Sequence, residues 1–423
     1  MSEKLQAPRG TFDVLPGDTS ARDQLLAANA APLLQNAGYG RIETPIFEDT
    51  ALFARGVGES TDVVQKEMYS FEDHGGRSIT LRPEGTAAVC RAYVEHGMHK
   101  LAQPVKLWYH GPFFRQEAPQ KGRFRQFFQI GAEALGSDSP IVDAESIELL
   151  DALLRDAGVA GVRLRIGSLG SRDERAAYSE ELKSFLRQHE SKLAHDVVAR
   201  IEMNPLRAFD SKDDSTQAVM SAAPHLIDSI SAADREHFNE VLALLDAAGV
   251  SYEVDPTLVR GLDYYTRTVF EFTADGLGSQ SGVAGGGRYD GLVEMLGGPA
   301  TPGIGWAAGV ERILASSQKT AADLPAKVFV GYEADADMAV AFRLTVELRK
   351  RIEGWVAVEL AGRALRSQFK QADKVGAQWF VILGGERGQY DAAVKNMESG
   401  SQEELSGLAA ESYIDAIAEA VQR

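Results

Sequence analysis

Between residues 171 and 249 the chain carries almost no strand signal, and that gap constrains its fold more than any other feature. Strand-like text precedes it, ending in the alternating apolar and basic residues of 162–166, and resumes at Ser251. Alternation with period two marks a half-buried strand. The stretch between is rich in alanine and charge and has helical spacing, clearest over 238–248. A sheet interrupted by a helical insertion of about residues 171–250 is therefore expected. Strands are expected at 39–47, 78–82, 105–110, 113–116, 127–131 and 162–166, with helices at 19–37, 85–96 and 145–157. The three strands between 105 and 131 follow one another with no helix between them. That order predicts a mainly antiparallel α+β domain and not repeated parallel βαβ units. Pro32 marks a kink in the first helix. Pro45 gives a ladder no donor, which puts its strand at an edge or an interface.

A chain of 423 residues exceeds one ordinary core. The small, polar stretch 316–326 precedes a second pattern: strands at 327–332, 355–360 and 379–383 alternate with helices at 335–353 and 364–376. Two domains follow, residues 1–322 and an α/β domain at 326–423. Apolar content of 44% with 25% charged residues is that of a globular chain. No run approaches the ~18–20 apolar residues of a membrane span, and the start lacks a secretory signal. Cys90 is the single cysteine, which excludes an internal disulfide or a cysteine-rich zinc site and suits a reducing cytoplasm. A net charge of −17 opposes indiscriminate nucleic-acid binding, yet local basic stripes remain able to meet phosphates.

Chemistry is concentrated in short segments at expected strand ends. Leu81-Arg-Pro-Glu-Gly-Thr86 brings Glu84 and Thr86 to a strand-to-helix turn, where a carboxylate and a hydroxyl can accept from an ammonium group. Gln129 and Glu133, four apart across Gly131, can converge on one ligand. Phe114-Arg115-Gln116-Glu117, Arg260-Gly-Leu-Asp-Tyr-Tyr265 and Gly309-Val-Glu-Arg312 supply guanidinium groups suited to carboxylate or phosphate. A basic loop, Gln120-Lys-Gly-Arg-Phe-Arg125, adds Arg123. Gly285-Gly-Gly-Arg-Tyr-Asp-Gly291 allows close approach of backbone to a ligand, or a tight hairpin turn. There is no G-x-x-x-x-G-K-[ST] loop. Gly303-Ile-Gly-Trp-Ala-Ala308 fits G-x-G-x-x-A but does not follow a strand signal, which argues against a dinucleotide site. His96 and His99 have no acidic or cysteine neighbours in sequence to complete a metal site. Arg363, Arg366, Lys370 and Lys374 recur at helical spacing and form one basic face, either solvated or an RNA contact.

These segments, from Arg9-Gly-Thr-Phe-Asp-Val-Leu-Pro16 into the C-terminal domain, resemble the bacterial type of the histidyl-tRNA synthetase family, of class II aminoacyl-tRNA synthetases. The resemblance is weakest over 171–249. It implies an antiparallel-sheet catalytic domain with a helical insertion, and a C-terminal α/β anticodon-binding domain. It implies a cytoplasmic homodimer whose interface includes the Pro45 strand. ATP with Mg2+ would activate L-histidine to histidyl-adenylate, and the 3′ end of tRNA-His would receive it. By resemblance, Arg115 and Arg260 are catalytic at the carboxylate and α-phosphate, and Arg115, Arg123 and Arg312 hold ATP. Glu84, Thr86 and Gln129 surround the α-amino group. Glu133 and Tyr265 read the imidazole nitrogens, and Tyr264 lines the pocket. Gln120 would meet the extra 5′ nucleotide of the tRNA. The alternative is a non-catalytic relative, such as the synthetase-like regulatory subunit of ATP phosphoribosyltransferase. Such proteins lose part of these motifs and the last domain, whereas this chain keeps the four arginines and the residues past the linker.

Overall fold

Side chains that alternate along each strand give the main sheet two faces, each with its own apolar core, one of which also carries the polar residues of a cavity. The computed structural model describes residues 5–15, 21–23, 25–58, 61–117, 122–277, 281–318, 326–332, 338–352, 354–359, 364–384, 390–408 and 412–421. It divides into two units, Met1–Lys319 and Thr320–Arg423.

The first unit begins with strands β1 (Gly40–Arg41), β2 (Phe47–Asp49), β3 (Tyr69–Glu72) and β4 (Ser78–Leu81). Helix α1 (Thr86–Glu95) and strands β5 (Val105–Phe114) and β6 (Gln126–Leu135) follow. After helix α2 (Pro140–Asp156) come β7 (Arg163–Ser168), helices α3 (Arg172–Gln188) and α4 (Ala232–Ala248), and β8 (Glu253–Val254). Strands β9 (Thr266–Thr273), β10 (Gly282–Arg288) and β11 (Gly303–Gly309) and helix α5 (Val310–Ser316) complete it. Eight strands form one sheet in the order β1-β5-β6-β11-β10-β9-β7-β8, and β2-β4-β3 form a small second sheet. Only the end pairs β1–β5 and β7–β8 are parallel, so the antiparallel α+β expectation holds.

Ile130, Ala132 and Ala134 of β6, Phe270 and Phe272 of β9, and Ile304 and Ala308 of β11 share one core. Leu150, Leu153 and Leu154 of α2 and Phe238, Val241 and Leu245 of α4 close it. Each leucine, isoleucine, valine and phenylalanine among them contributes about 1.5–3 kcal/mol on burial, so the sheet rests on a firm helical backing. Helix α2 starts with Pro140 in its first turn, where the missing N–H costs nothing.

Four expectations need correction. The helical text does not all leave the sheet: α4 packs beside α2 in the main core, so the excursion closes near Ile230. The expected strands 105–110 and 113–116 are one strand, because Gly111 and Pro112 stay in register opposite Gln129 and Phe128. The expected strand 39–47 breaks into β1 and β2 in different sheets, and Pro45, without a ladder donor, falls in the gap. The first helix is not a uniform α-helix: helical residues 21–23 precede a π-helical turn Leu25–Ala30 that leads into Ala31–Asn36, with Pro32 tolerated in the first turn of the last, and residues 19, 20 and 24 lie outside the described residues.

The second unit has β12 (Ala326–Tyr332), α6 (Met338–Arg351), β13 (Gly354–Val358), α7 (Leu365–Lys374) and β14 (Trp379–Gly384), in the expected alternation. Strands β15 (Tyr390–Asn396) and β16 (Gln402–Leu408) and helix α8 (Tyr413–Ala420) extend it. The sheet runs β13-β12-β14-β15-β16, parallel through its first three strands and antiparallel beyond. Val328 and Val330 face a core with Leu344 and Ile417, while Phe329 faces another with Phe380 and Ala372.

Arg288, at the end of β10, is fully buried. Its Nη2 lies 2.7 Å from Asp143 Oδ1 and its Nη1 3.2 Å from Asp290 Oδ1, and His237 Nε2 lies 2.9 Å from Asp143 Oδ2. Removing the guanidinium would strand a fully buried carboxylate, which typically costs about 3–5 kcal/mol. Arg288→Ala should lose stability of that order in urea denaturation. A loss below roughly 1 kcal/mol, the range of an exposed pair, would show that these charges are solvated.

Candidate active site

On one face of the large sheet lies a cavity of about 250 Å³. It draws its walls from the turn before α1, the β5–β6 hairpin, the loop before β9, and strands β10 and β11. Of the residues singled out from sequence, Glu84, Thr86, Arg115, Arg123, Gln129, Arg260, Tyr264, Tyr265 and Arg312 all line it. Gln120 and Arg363 lie outside the described residues.

Four guanidinium groups meet here, each oriented by a fixed acceptor. Arg115 Nε donates to Pro83 O at 2.9 Å, and Arg312 Nε donates to Gly282 O at 2.6 Å. Arg123 Nη1 pairs with Glu117 Oε2 at 2.7 Å, and Arg260 Nη1 with Glu271 Oε1 at 3.0 Å. Burial, followed by the neighbouring Arg123, holds the pKa of Arg312 below its usual range. Two other carboxylates of the lining are engaged locally. Glu84 accepts from Thr86 N at 2.7 Å and Ala87 N at 3.0 Å, capping α1. Glu311 accepts from Arg22 Nη2 at 2.6 Å and Phe128 N at 3.0 Å. Among the described carboxylates, Glu117 and Glu271 face the four cations from the lining and Glu67 lies near Arg115 and Arg123, so cations still outnumber them and the cavity suits an anion.

At the other end the wall is phenolic. Tyr264 and Tyr265 stack edge to face with centroids 4.7 Å apart, and Tyr264 Oη donates to Glu84 Oε2 at 3.5 Å. Gln129 and Glu133 do point the same way from one strand, as their spacing predicts. Gly131 between them has no side chain because the Tyr109 ring occupies that space. Glu133, however, does not line the cavity. It sits one layer deeper and fully buried, accepting from Thr86 Oγ1 at 2.8 Å, Tyr109 Oη at 3.3 Å and Tyr289 Oη at 2.8 Å. Burial pushes its pKa up to about 8 despite those three donors.

Among the lining residues, Gln129 Oε1, an acceptor, and Arg260 Nε, a donor, are buried with no hydrogen-bond partner, as is Nε1 of Trp306, whose ring belongs to the apolar core. Buried polar atoms rarely stay unpaired in a native structure, and here an acceptor and a donor line one cavity. A zwitterion supplies their complements, an ammonium for one and a carboxylate for the other.

The glycine run is not a turn but the middle of β10, correcting that alternative. A Cβ at Gly285 would stand 2.5 Å from Arg260 Nη2, so this glycine lets the guanidinium lie across the strand. The space beside Gly286 is taken by β11 backbone at Gly305 and Trp306. Sequence reasoning gave no role to Glu117, Glu271, Tyr109 or Tyr289. Glu117 and Tyr289 lay inside quoted motifs, whereas Glu271 and Tyr109 carried no signal beyond strand alternation.

Among the described residues no three potential ligands cluster as a metal cage. Glu117 and Glu271 are carboxylates of the lining whose oxygens suit a hard cation.

In the second unit Arg366, Lys370 and Lys374 are exposed along α7. Gln368, on the opposite side, is buried and exchanges two hydrogen bonds with the backbone of Tyr332, at 3.0 and 2.9 Å. That pair fixes the rotation of the helix and so turns the basic residues outward.

Residues 10–313 match the sequence profile of the histidyl-tRNA synthetase family. A histidine–tRNA ligase of Halothermothrix orenii is 46% identical over 407 residues, 95% of this chain and 96% of that relative. One of Streptomyces avermitilis is 47% identical over 94% of this chain and 95% of its own. The crystal structure of apo histidyl-tRNA synthetase from Staphylococcus aureus superposes with a TM-score of 0.79 and 34% identity, covering 99% of this chain and 100% of that one. A Bacillus halodurans protein described as an ATP phosphoribosyltransferase regulatory subunit/histidyl-tRNA synthetase has a TM-score of 0.66 over 90% of this chain and 99% of its own. At 22% identity it shares the fold alone.

The depth of Glu133 has a consequence for pH. Its ordinary value is 4.5 and its buried value about 8, so folding favours the protonated form. That contribution is fully present below about pH 4.5 and is lost as pH rises towards 8. Glu133→Gln cannot ionise. Its stability relative to the parent should therefore climb between about pH 5 and 8 and level off above, as read by denaturation across that range. A difference that stays flat with pH would show that the carboxyl titrates normally.

Proposed function

The chain belongs to the histidyl-tRNA synthetase family, and on that footing we infer that it joins L-histidine to tRNA-His using ATP. It is an enzyme, an ATP-dependent aminoacyl-tRNA ligase. One observation carries the reading down to residues: Gln129 Oε1 and Arg260 Nε, buried and unpaired, line the same cavity as Arg115, Arg123 and Arg312.

In the proposed arrangement Gln129 accepts from the histidine ammonium beside Glu84 and Thr86, and Arg260 receives the carboxylate. A carboxylate oxygen attacks the α-phosphorus, the bond to the bridging oxygen breaks, and pyrophosphate leaves. Arg115 and Arg260 offset the negative charge that builds on the α-phosphate, while Arg123 and Arg312 hold the outer phosphates. Magnesium, shared with Glu117 or Glu271, would neutralise part of the triphosphate charge. Tyr265 serves one imidazole nitrogen and Glu133 the other, with the Thr86 and Tyr109 hydroxyls yielding their bonds to the carboxyl as the ring enters. The terminal ribose hydroxyl of the tRNA then attacks the acyl carbon, its proton passes to a phosphate oxygen of the adenylate, and the bond from the acyl carbon to that phosphate breaks as AMP departs. Gln120 is proposed to meet the tRNA 5′ end, and the basic face of α7, with Arg363, its anticodon region.

The proposal includes a homodimer in the cytoplasm. Phe47 and Phe71, both about half exposed, lie on β2 and β3 of the small sheet, beside the exposed Ile46. Such apolar surface next to Pro45 favours a partner there. Among the described residues no helix is long and apolar enough to cross a membrane.

Pyrophosphate exchange into ATP should occur with histidine and no other amino acid. A site built to hydrogen-bond a polar side chain rejects analogues that lack it by roughly 10⁴-fold. Arg260→Ala should slow adenylate formation about 10²–10³-fold while ATP still binds. Comparable exchange with a second amino acid, or near-normal adenylation by the variant, would sink this assignment.

Neutralising Arg363, Arg366, Lys370 and Lys374 together should weaken tRNA binding and flatten its dependence on salt, by roughly one released counterion per lost phosphate contact. Filter binding across a salt series reads both quantities. An unchanged affinity and slope would leave the face merely solvated.

A further inference from the structure

Arg175 sits in the first turn of α3, outside the cavity lining, and no step above uses it. Its side chain leaves the helical excursion and reaches the loop that carries Tyr264 and Tyr265. Nη1 donates to Asp263 O at 2.8 Å and to Tyr265 O at 3.1 Å, and Nη2 lies 3.5 Å from Asp263 Oδ1. We propose that Arg175 is a positioning residue for the amino-acid pocket: it clamps the carbonyls on both sides of Tyr264, so that docking of the helical excursion sets the shape of the histidine site. This rests on the reading of that cavity as the histidine site.

Both ends of the clamp are anchored. On the helix side, Ser171 and Glu174 form a capping box, with Glu174 Oε2 accepting from Ser171 N at 2.7 Å. Glu174 Oε1 accepts from Ser231 N, also at 2.7 Å. One side chain thereby ties the chain where it leaves the sheet to the chain where it returns. On the loop side, Asp263 N donates to Val57 O at 3.1 Å, and Arg267 exchanges two 2.7 Å backbone bonds with Gly170 and Leu169. Arg267 adopts φ 46°, a left-handed conformation rare for a residue with a side chain. Its Nε donates to Asp234 Oδ1 at 2.8 Å, at the start of α4. The loop of residues 263–267 is thus held at two points by the neck of the excursion.

Packing follows the same route. Tyr178, Leu182 and Leu186 of α3 share a core with Leu258, Tyr264 and Tyr265. A guanidinium is suited to this task because it can donate to two carbonyls at once from a fixed plane, which an ammonium matches poorly. Burial pushes its pKa down, and Asp263 counters that shift. The arginines proposed to hold ATP lie on the β5–β6 hairpin and α5, not on this loop, so loosening the clamp should affect histidine first.

The test is steady-state pyrophosphate exchange on the full chain, with histidine and ATP varied separately, for the parent, Arg175→Lys and Arg175→Met. A misplacement of about 1 Å in a binding site costs up to roughly 10²-fold. We expect the histidine KM to rise about ten- to a hundredfold in Arg175→Met, with the ATP KM within about twofold. Arg175→Lys, which keeps one donor direction, should recover part of the loss. Melting followed by circular dichroism checks the fold of each. Three results would overturn the inference: an unchanged histidine KM in both variants, a rise of both KM values by the same factor, or loss of the fold in Arg175→Lys, which would assign the group to stability. Absence of histidine-dependent exchange in the parent would instead reject the functional reading itself.

Discussion

Ile130, Ala132 and Ala134 point one way from their strand, Gln129, Gly131 and Glu133 the other, and the first unit depends on that alternation. The apolar set gives the two backing helices something to bury against. The second set then projects from a backbone whose position is already decided. A carboxyl as deep as Glu133 can exist only on such a support, since its burial is unfavourable and three hydroxyl donors offset it only in part. The same strand therefore carries the most apolar and the most polar surfaces of the unit, one residue apart.

The cationic end of the pocket follows another rule. Four guanidinium groups close together repel one another, and a flexible cluster would spread. Here two of them are pinned by backbone carbonyls, Pro83 O and Gly282 O, which do not move with the ligand. The other two are pinned by carboxylates. Donors fixed before charge develops need little reorganisation when it does, which is the condition for electrostatic stabilisation of a transition state. Gly285 belongs to the same arrangement, since a methyl group there would push against Arg260.

What the sequence made legible was the chemistry at strand ends. Arg115, Arg260 and Arg312 stand out through the motifs by which the chain resembles its family, since a lone arginine at a strand end would read as a surface ion pair, and the cavity gathers all three. The depth of Glu133 was not legible, since spacing gives the face of a strand but not what covers it. Nor was the end of the helical excursion: residues of α4 have the same helical text whether they pack on the sheet or away from it, and only Phe238, Val241 and Leu245 meeting α2 decide. Strands β15 and β16 escaped notice because they form the antiparallel margin of their sheet, and β16 begins with three polar residues and shows no regular alternation of apolar and polar ones. Arg175 was invisible for a different reason. Its nearest partners, the carbonyl oxygens of Asp263 and Tyr265, lie 88 and 90 residues away and belong to the backbone.

Net charge and local charge make opposite statements about RNA. Exposed charges further apart than about 8 Å are largely screened at physiological ionic strength. An overall charge of −17 therefore acts as a weak general repulsion, while a helix face acts on whatever touches it. Arg366, Lys370 and Lys374 stand one turn apart, about 6 Å along the axis at ~1.5 Å per residue. Adjacent members of the stripe thus lie within one screening length and behave as a single patch. Gln368 gives that patch a fixed direction: its two bonds to Tyr332 hold the helix in one rotation, with the aromatic Phe369–Phe380 contact at 5.6 Å packing the inner side. A stripe free to roll would average its charge over the surface, and this one cannot.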